Sequence, residues 1–294
     1  MNCDMHVHTK FSGPCTTPIL SKICQESYSE PEIVYSTLRR RGMDLITLTD
    51  HDSIDGAEEL RGYANFFLSE ELTCRMPSGT EVHVGVYDIT ERQHIQLQQR
   101  RNDLVSLLMY LTENHLFFSV NHVLSCLTGK READDYVWFR NYFPAVESRN
   151  GQMLARQNDD TQRLARQWRK VEIGGSDAHA SASAGTAFTE VPGARTKEEF
   201  FAGLRAGRGR VAGNSGNYLK LTRDVLMIGA SMMGDTPWTL SLLPLAVLVP
   251  VATYLNYRSE RKFGDFWAER MLTQPQSSRK RWLRIVQSAA EGAM

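Results

Sequence analysis

Short apolar and β-branched runs alternate with longer amphipathic patterns through roughly the first 210 of the 294 residues. Such runs predict strands, whereas apolar positions spaced three and four residues apart predict helices. Regular alternation of the two is typical of an α/β fold with mainly parallel strands. The predicted strands cover residues 4–8, 44–49, 66–73, 82–89, 117–123, 145–148, 171–174 and 186–191, and the predicted helices cover residues 31–41, 53–63, 91–114, 132–142, 154–170 and 197–205.

The character of the chain changes after about residue 216. Residues 236–257 carry no charged side chain, although Pro244 and Pro250 interrupt the apolar run. A membrane span needs roughly 20 apolar residues, so the segment is just long enough. Two interpretations stay open: a segment that contacts or enters the membrane, and a helix buried against the preceding domain.

We therefore expect two parts, a domain over residues 1–215 and a hydrophobic, amphipathic helical extension over residues 216–294. The tail of the extension contains Trp267, Trp282 and a basic cluster at residues 279–281. Its pattern predicts an amphipathic surface piece or a solvated charged face.

Lys and Arg total 34, as do Asp and Glu, so the formal net charge is zero. No global basic field draws the chain toward nucleic acid, which stays possible only as a local substrate. The five cysteines form no C-x-x-C pair, which is typical of reduced thiols, and no secretory segment precedes the first predicted strand. We expect a cytoplasmic protein, either free or held at the cytoplasmic face of the membrane.

The positions of the eight histidines are the most informative feature for function. His6 and His8 form an H-x-H pair on one predicted strand, where the two-residue period turns both imidazoles to the same face. His94 and His115 belong to a predicted helix and its end, and we expect surface or structural roles for them. The other histidines lie on predicted strands or just past their ends: His6, His8, His51, His83, His122 and His179.

Acidic side chains accompany these histidines at the strand ends, where α/β folds place their sites. Imidazoles and carboxylates that converge in one place are costly to bury without cations that neutralise and bind them. A metal centre is the economical explanation of the pattern. The candidate acids are Asp50, Asp52, Glu71 and Asp177, while Glu70 points to the opposite face of its strand from Glu71.

Six motifs in this order resemble the PHP (polymerase and histidinol phosphatase) family, over about residues 1–215. The resemblance implies a distorted (β/α)7-type barrel with two or three divalent ions at its carboxyl rim, and hydrolysis of phosphate esters. The motifs are D-M-H-V-H-T at residues 4–9, T-D-H-D at 49–52, S-E-E-L-T at 69–73, E-V-H-V at 81–84, S-V-N-H-V at 119–123 and G-S-D-A-H at 175–179.

The resemblance also implies a ligand set. Glu71 would bridge two ions, and the second of them would be held by His83 and His122. A third ion would belong to His51 and His179. The ligands of the first ion would be His6, His8, Glu71 and Asp177.

The chain departs from the family at the third ion. Members with a full third site carry His or Asp a few residues after the H-x-H, whereas this chain reads K-F-S-G-P-C at residues 10–15. Either the third ion is absent or loosely held, or Cys15 or Asp50 replaces the missing ligand. Without that ion, His51 or His179 would protonate the leaving oxygen. The predicted catalytic residues are therefore His51, Asp50 and His179.

In the proposed chemistry, a water activated by two bridged cations attacks the phosphate ester without a nucleophilic side chain. An amidohydrolase-type metal hydrolase is the nearest alternative, because it also opens with H-x-H and closes with Asp. A non-catalytic metal-binding module recruited to a membrane by its C-terminal segment is another. The expected substrate is a phosphorylated small molecule or a short nucleic acid, the ligand set admits Zn, Mn or Fe, and no obligate protein partner is evident.

Overall fold

The computed structural model describes residues 1–15 and 20–273, which form a mixed α/β fold. A five-stranded sheet has the order β2-β3-β4-β5-β6, and a three-stranded sheet has the order β1-β7-β8. The strands are β1 (Asn2–Cys3), β2 (Ser69–Arg75), β3 (Glu81–Tyr87), β4 (Phe117–Val120), β5 (Ala145–Asn150), β6 (Val171–Gly175), β7 (Ala187–Glu190) and β8 (Arg210–Gly213).

Helices connect the strands and continue beyond the last of them. Three short 3₁₀ turns and one longer 3₁₀ segment complete the described structure. The helices are α1 (Pro31–Arg40), α2 (Asp55–Glu58), α3 (Glu91–Arg100), α4 (Leu104–Glu113), α5 (Ala133–Tyr142), α6 (Ala155–Trp168), α7 (Lys197–Arg205), α8 (Tyr218–Asp235) and α9 (Val249–Thr273), and the 3₁₀ segments are Lys10–Ser12, Leu20–Lys22, Ser181–Ser183 and Pro237–Leu248.

Two helix predictions were wrong in extent. The predicted helix 91–114 is interrupted, because the Asp103 carboxylate accepts hydrogen bonds from the backbone N–H groups of Val105 and Ser106 and starts α4 as an N-cap. The predicted helix 53–63 shortens to the four residues of α2. The first difference arises at a polar residue that satisfies backbone groups locally, whereas α2 has no side-chain cap at its first turn.

The parallel arrangement holds only for part of the large sheet. β4, β5 and β6 are parallel, whereas β2, β3 and β4 pair antiparallel. β2 and β3 are joined by a tight turn in which Met76 N–H donates to Thr80 O at 2.8 Å and Gly79 has a φ of +83°. A parallel pair needs a crossover of a dozen or more residues, so this short turn imposes the antiparallel direction.

The predicted strands 4–8 and 44–49 are not regular strands. Isolated parallel bridges join Cys3 to Leu45, Ile46 to Phe66, and Val7 to Ala178. A regular (β/α)7 barrel is therefore not what the described residues show. These irregular stretches nevertheless lie side by side, because each exchanges a few backbone hydrogen bonds with its neighbours.

The second half of α9 belongs to the core of the protein. Trp267, Ala268 and Met271 of α9 are buried in the main apolar cluster, and the Trp267 ring packs on that of Tyr136 with a centroid distance of 4.9 Å. The expected tail, with Trp282 and residues 279–281, lies outside the described residues. The packing of α9 makes its second half inseparable from the domain fold.

The apolar segment before the second half of α9 is, in contrast, mostly exposed. The stretch Pro237–Thr273 is long and apolar enough to cross a membrane, and 11% of its most apolar window is buried. Trp238 is 58% exposed and Val247 is 74% exposed. The alternative of a fully buried helix is therefore wrong for this half. Other large apolar side chains exposed here are Leu240, Leu243, Leu245, Leu248, Val251, Tyr254 and Leu255.

Candidate metal centre

Six of the eight predicted ligands line a cavity of about 180 Å³, and His6 and His8 lie beside it. The cavity has a histidine-rich floor and a roof supplied by α6, α8, α9 and two loops. The floor residues are Glu26, His51, Glu71, His83, His122, Asp177 and His179, and the roof residues are Leu127, Gln152, Met153, Leu154, Gln157, Leu221, Asp224, Val225, Ile228, Asn256 and Glu260.

Glu71 lies at the centre of the floor and is fully buried. Its Oε2 atom is 3.0 Å from His6 Nε2 and 3.4 Å from His51 Nδ1. Its Oε1 atom is 3.6 Å from His83 Nδ1 and 3.4 Å from His122 Nε2. One carboxylate therefore faces two sets of imidazole nitrogens with its two oxygens.

His6 and His8 converge beside Asp177, as the H-x-H spacing predicts. Their Nε2 atoms are 3.0 Å apart, and Asp177 Oδ1 is 3.6 Å from the first and 3.4 Å from the second. His6 lies against Gly175, where an added Cβ would come within 2.3 Å of the His6 Cβ. Only glycine permits this approach of β6 to the amino-terminal stretch.

Four overlapping groups of side chains could each hold an ion. In each group, one nitrogen or oxygen atom per residue lies within 4.8 Å of the others. His6, His8, His51 and Glu71 each take part in two groups, so the groups form one continuous centre. They are His6–His8–Asp177, His6–Glu71–His122, His51–Glu71–His83 and His8–His51–His179.

Hydrogen bonds behind the ligands orient the imidazoles. The buried carboxylate of Glu147 is 2.8 Å from His6 Nδ1 and accepts from the backbone N–H of His122. The Ser12 hydroxyl lies 2.9 Å from His8 Nδ1 and donates to Asp50 at 2.7 Å. Both arrangements leave Nε2 of the histidine directed at the other ligands, which is the usual arrangement of metal-binding histidines.

Glu26 is a residue that the sequence pattern did not identify. Its Oε2 atom is 3.3 Å from His51 Nε2, and its Oε1 atom is 3.7 Å from His179 Nε2. It follows a short antiparallel contact in which Cys15 N–H donates to Cys24 O at 3.0 Å. Glu26 stands in a loop far from any strand end, so neither spacing nor strand periodicity signals it.

The remaining predicted residues occupy other positions. Asp50 is buried, and it accepts hydrogen bonds from Thr9 N–H at 2.6 Å and from the Thr9 hydroxyl at 2.7 Å in addition to that of Ser12. It does not line the cavity. Glu70 faces away from Glu71, as expected, and accepts from Gln98 while it lies 2.9 Å from His94 Nδ1.

The electrostatics of the site keep its acids ionised and divide its imidazoles. Burial opposes the protonation of His6 and His122, but nearby carboxylates outweigh it and raise the pKa of both, whereas burial lowers the pKa of His83. Burial alone would raise the pKa of Glu71, but the charges of His6, His83 and His51 outweigh it and hold that pKa well below its usual range. Burial, together with the charge of His179, lowers the pKa of His8 to about 3. A neutral imidazole beside an ionised carboxylate is the protonation state that binds a metal ion.

Glu26 and His179 behave as an ion pair at the edge of the floor. Burial would raise the pKa of Glu26, but the adjacent His179 imidazole, 3.7 Å away, lowers it to about 2. Burial would lower the pKa of His179, but the adjacent Glu26 carboxylate raises it to about 9. A cation at this place would replace the shared proton.

Two of these side chains stand on strained backbone. His122 has a φ of +29° and Asp177 a φ of +49°, in the region that L-residues other than glycine rarely adopt. Each follows the end of a strand, β4 or β6, and the turn aims its side chain at Glu71 or at the H-x-H pair. Such strain costs about 1–3 kcal/mol per residue and concentrates at functional sites.

Unpartnered buried atoms test whether the site suits metal ions. His51 Nδ1 and His179 Nε2 are buried without a hydrogen-bond partner and face the acids of the floor. Imidazole nitrogens and carboxylate oxygens are ligands of divalent transition metals. The donor set therefore fits divalent ions.

Sequence comparisons found similarity to known proteins over parts of this chain. A family model described as PHP-associated matches residues 155–208. An uncharacterized protein of Methanocaldococcus jannaschii is 27% identical over 86 residues, which cover 28% of this chain and 44% of that protein. The chain therefore matches less than half of that relative's length.

The fold is similar to that of a solved structure with a TM-score above 0.5. PsfC from Pseudomonas syringae has a TM-score of 0.54 at 17% identity, over 80% of this chain and 98% of that chain. PfuEndoQ, a lesion-specific endonuclease from Pyrococcus furiosus, has a TM-score of 0.48 at 14% identity, over 71% of this chain and 57% of that one. The chain is therefore similar to PHP-associated proteins over residues 155–208.

Proposed function

We propose that the protein is a metal-dependent phosphoesterase that hydrolyses phosphate esters at a centre of two or three divalent ions. The observation that carries this proposal is the position of Glu71, whose two oxygens face different imidazole groups. A carboxylate between two nitrogen-rich groups is the arrangement that bridges paired ions in hydrolases. Zn, Mn and Fe all suit these ligands.

Bound ions would activate a water nucleophile and neutralise charge on the phosphoryl oxygens. Side chains of the protein would hold these ions, and other side chains would orient the ligands. His6, His8 and Asp177 would hold one ion, and His83 and His122 a second, with Glu71 between them. Glu147 and the Ser12–Asp50 pair fix the imidazoles by hydrogen bonds, so we assign Asp50 a positioning role.

His51 and His179 would hold a third ion, with Glu26 as the carboxylate that residues 10–15 lack. The contacts of 3.3 Å and 3.7 Å between Glu26 and these imidazoles support this assignment. The alternative is that His51 or His179 donates a proton to the leaving oxygen. The two roles predict different metal contents: three ions where His51 and His179 bind metal, and two where one of them donates a proton.

We also propose that the strands close into a distorted seven-stranded barrel, as in the family. Backbone hydrogen bonds between irregular stretches support closure: Met5 N–H to Gly174 O at 3.3 Å, Thr49 N–H to Val7 O at 2.9 Å, and Phe67 N–H to Ile46 O at 3.1 Å. Residues 1–215 would form this catalytic domain and residues 216–294 its extension. An enclosed strand arrangement would hold the ligands of distant segments in one place.

The exposed apolar half of the extension supports contact with the cytoplasmic face of a membrane. Exposed apolar patches of this kind mark membrane or protein contacts. Arg258 and Arg261 follow the apolar segment in the sequence, and basic residues beside such a segment attract anionic lipids. Sedimentation with phosphatidylglycerol vesicles tests this contact, and recovery of the protein in the supernatant contradicts it.

Phosphate release from an aryl phosphate in the presence of Mn²⁺ tests the proposed activity. We expect release by the unaltered protein and a large loss in His8→Ala. Release of ammonia or carboxylate from amide substrates instead would favour an amidohydrolase. Metal binding without turnover of either substrate class would favour a non-catalytic module.

A further inference from the structure

The roof of the cavity is apolar on the side where a substrate's organic group would lie. Leu221, Val225 and Ile228 of α8 line the cavity, and their spacing of four and three residues places them on one face of the helix. Met153 and Leu154, both buried, line it from the loop before α6. Apolar walls of this kind favour apolar ligand groups because contact removes both surfaces from water.

The charged groups of the roof are acidic, and protein partners already hold them. Asp224 accepts from Lys220 at 2.8 Å and from the Ser183 hydroxyl at 2.9 Å. Glu260 accepts from the Ser125 hydroxyl and from Gln157 Nε2, both at 3.1 Å. These bonds leave no free acid to bind a cationic substrate group.

A second phosphate on the substrate would find no partner in this cavity. Among the cavity-lining residues that the structure describes, none is lysine or arginine. A phosphate near Glu260 would meet like charge, while the cations beside Asp224, Lys220 and Arg223, are already paired with that carboxylate. The metal centre can therefore receive one phosphoryl group, and the roof disfavours a nucleoside bisphosphate or an oligonucleotide.

The apolar wall reaches the opening of the cavity. Val225 and Leu127 line the cavity and are 43% and 50% exposed, so the wall extends from the floor into solvent. A chain attached to the phosphate could follow this wall outward. Leu226 is the neighbour of Val225 on α8 and is 41% exposed, but it does not line the cavity.

We infer that the site accepts a phosphate monoester of an apolar alcohol, with the phosphoryl group on the histidine floor and the hydrocarbon along α8. This inference rests on the proposed function and names its substrate class. The shared chemistry is a phosphate on an alkyl or isoprenoid-like chain, whether the ester is a soluble metabolite or a membrane lipid.

Binding of non-hydrolysable n-alkylphosphonates tests the inference without turnover. Titration calorimetry on the Mn²⁺-loaded protein would compare chains from methyl to octyl. We expect binding to tighten by about threefold to fourfold per methylene, then to level off as the chain leaves the wall. Affinity independent of chain length, or tighter binding of a nucleoside 3′,5′-bisphosphate than of octylphosphonate, would overturn the inference.

Two matched variants test whether the hydrocarbon lies along the face of α8 that contains Val225. Val225→Asp should abolish the dependence of affinity on chain length, whereas Leu226→Asp should keep it. Both residues lie half exposed on the same helix, so a general effect of a charge on α8 would appear in both. Equal loss in the two variants contradicts the assigned path, and the chain-length series of the unaltered protein stands as a test independent of either variant.

Hydrolysis assays separate the two sources of the ester and the two proposals. Release of phosphate from octyl phosphate in solution but not from a long-chain ester in phosphatidylcholine vesicles identifies a soluble substrate, and release from both identifies a lipid. If affinity depends on chain length but no ester releases phosphate, the proposed hydrolysis is contradicted and the substrate class is not. If small polar esters release phosphate and affinity does not depend on chain length, the substrate class is overturned and the proposed hydrolysis is not.

Discussion

The metal centre and the apolar segment 238–255 depart from ordinary protein packing in opposite directions. The centre buries His6, His8, His83 and His122 together with acids such as Glu71 and Asp177, while residues 238–255 leave large apolar side chains in contact with water. Burying polar groups and exposing apolar ones both cost free energy. The comparison teaches that the two proposals remove these two costs separately: cations would neutralise the buried acids of the centre, and an apolar surface would cover residues 238–255.

The strongest test of this contrast is the removal of charge at the centre of the floor. Glu71→Gln should lower phosphate release by about 1,000-fold, or ~4 kcal/mol, because a buried carboxylate surrounded by imidazoles loses its charge. Metal analysis should show loss of bound ions. Glu70→Gln is the matched control, since Glu70 is buried on the same strand but faces His94. Full metal content in Glu71→Gln would contradict the bridging role.

A pair of tryptophans tests the difference within the extension. Trp267→Ala should lower the free energy of unfolding by about 3–5 kcal/mol, because the ring is buried against Tyr136. Trp238→Ala should change it by less than about 0.5 kcal/mol, because that ring is mostly exposed. Urea denaturation measures both. Equal effects would show that the two halves of the extension pack alike.

Glu26 tests how far the metal centre extends. Glu26→Gln should release about one equivalent of metal and lower turnover by about 10- to 100-fold, because His51 and His179 lose their shared carboxylate. Glu30→Gln is the control, because Glu30 pairs with Lys10 near the surface. Lower turnover with unchanged metal content would instead support proton donation by His51 or His179.

The smallest effect is expected from a residue that contacts a metal ligand without binding metal itself. Ser12→Ala removes the hydroxyl between His8 and Asp50 and should weaken metal binding by about 10-fold, since the His8 ring loses its orienting partner. Competition with a metal chelator measures the change. Ser36→Ala, at an exposed hydroxyl on α1, should leave affinity unaltered. An affinity unchanged in Ser12→Ala would show that packing alone orients the imidazole.

The sequence predicted what periodicity and residue chemistry encode. Helices α1, α5, α6 and α7 lie where apolar spacing predicts them. The convergence of histidines from separate segments follows from their places at strand ends. The opposite orientation of Glu70 and Glu71 follows from the two-residue period of a strand.

What the sequence did not predict depends on tertiary partners. The apolar pattern of residues 82–89 predicts a strand but not the direction of the strand beside it. The tight turn at Gly79 makes β2 and β3 antiparallel. Residues 4–8 have a strand-like pattern, but they make an isolated bridge from Val7 to Ala178 and single backbone hydrogen bonds rather than a regular ladder. Glu26 reaches His51 only because its loop folds back over the floor, so no local spacing marks it.

The left-handed backbone at His122 and Asp177 has a consequence for how the protein acquires its cations. Ions held by the proposed ligands would offset the free energy spent on these two conformations, so metal uptake would be thermodynamically linked to the folding of the site. Addition of the cation should therefore raise the midpoint of thermal unfolding in proportion to the logarithm of its concentration above the dissociation constant. In a cell, supply of the ion would then govern the lifetime of the folded chain as well as its turnover.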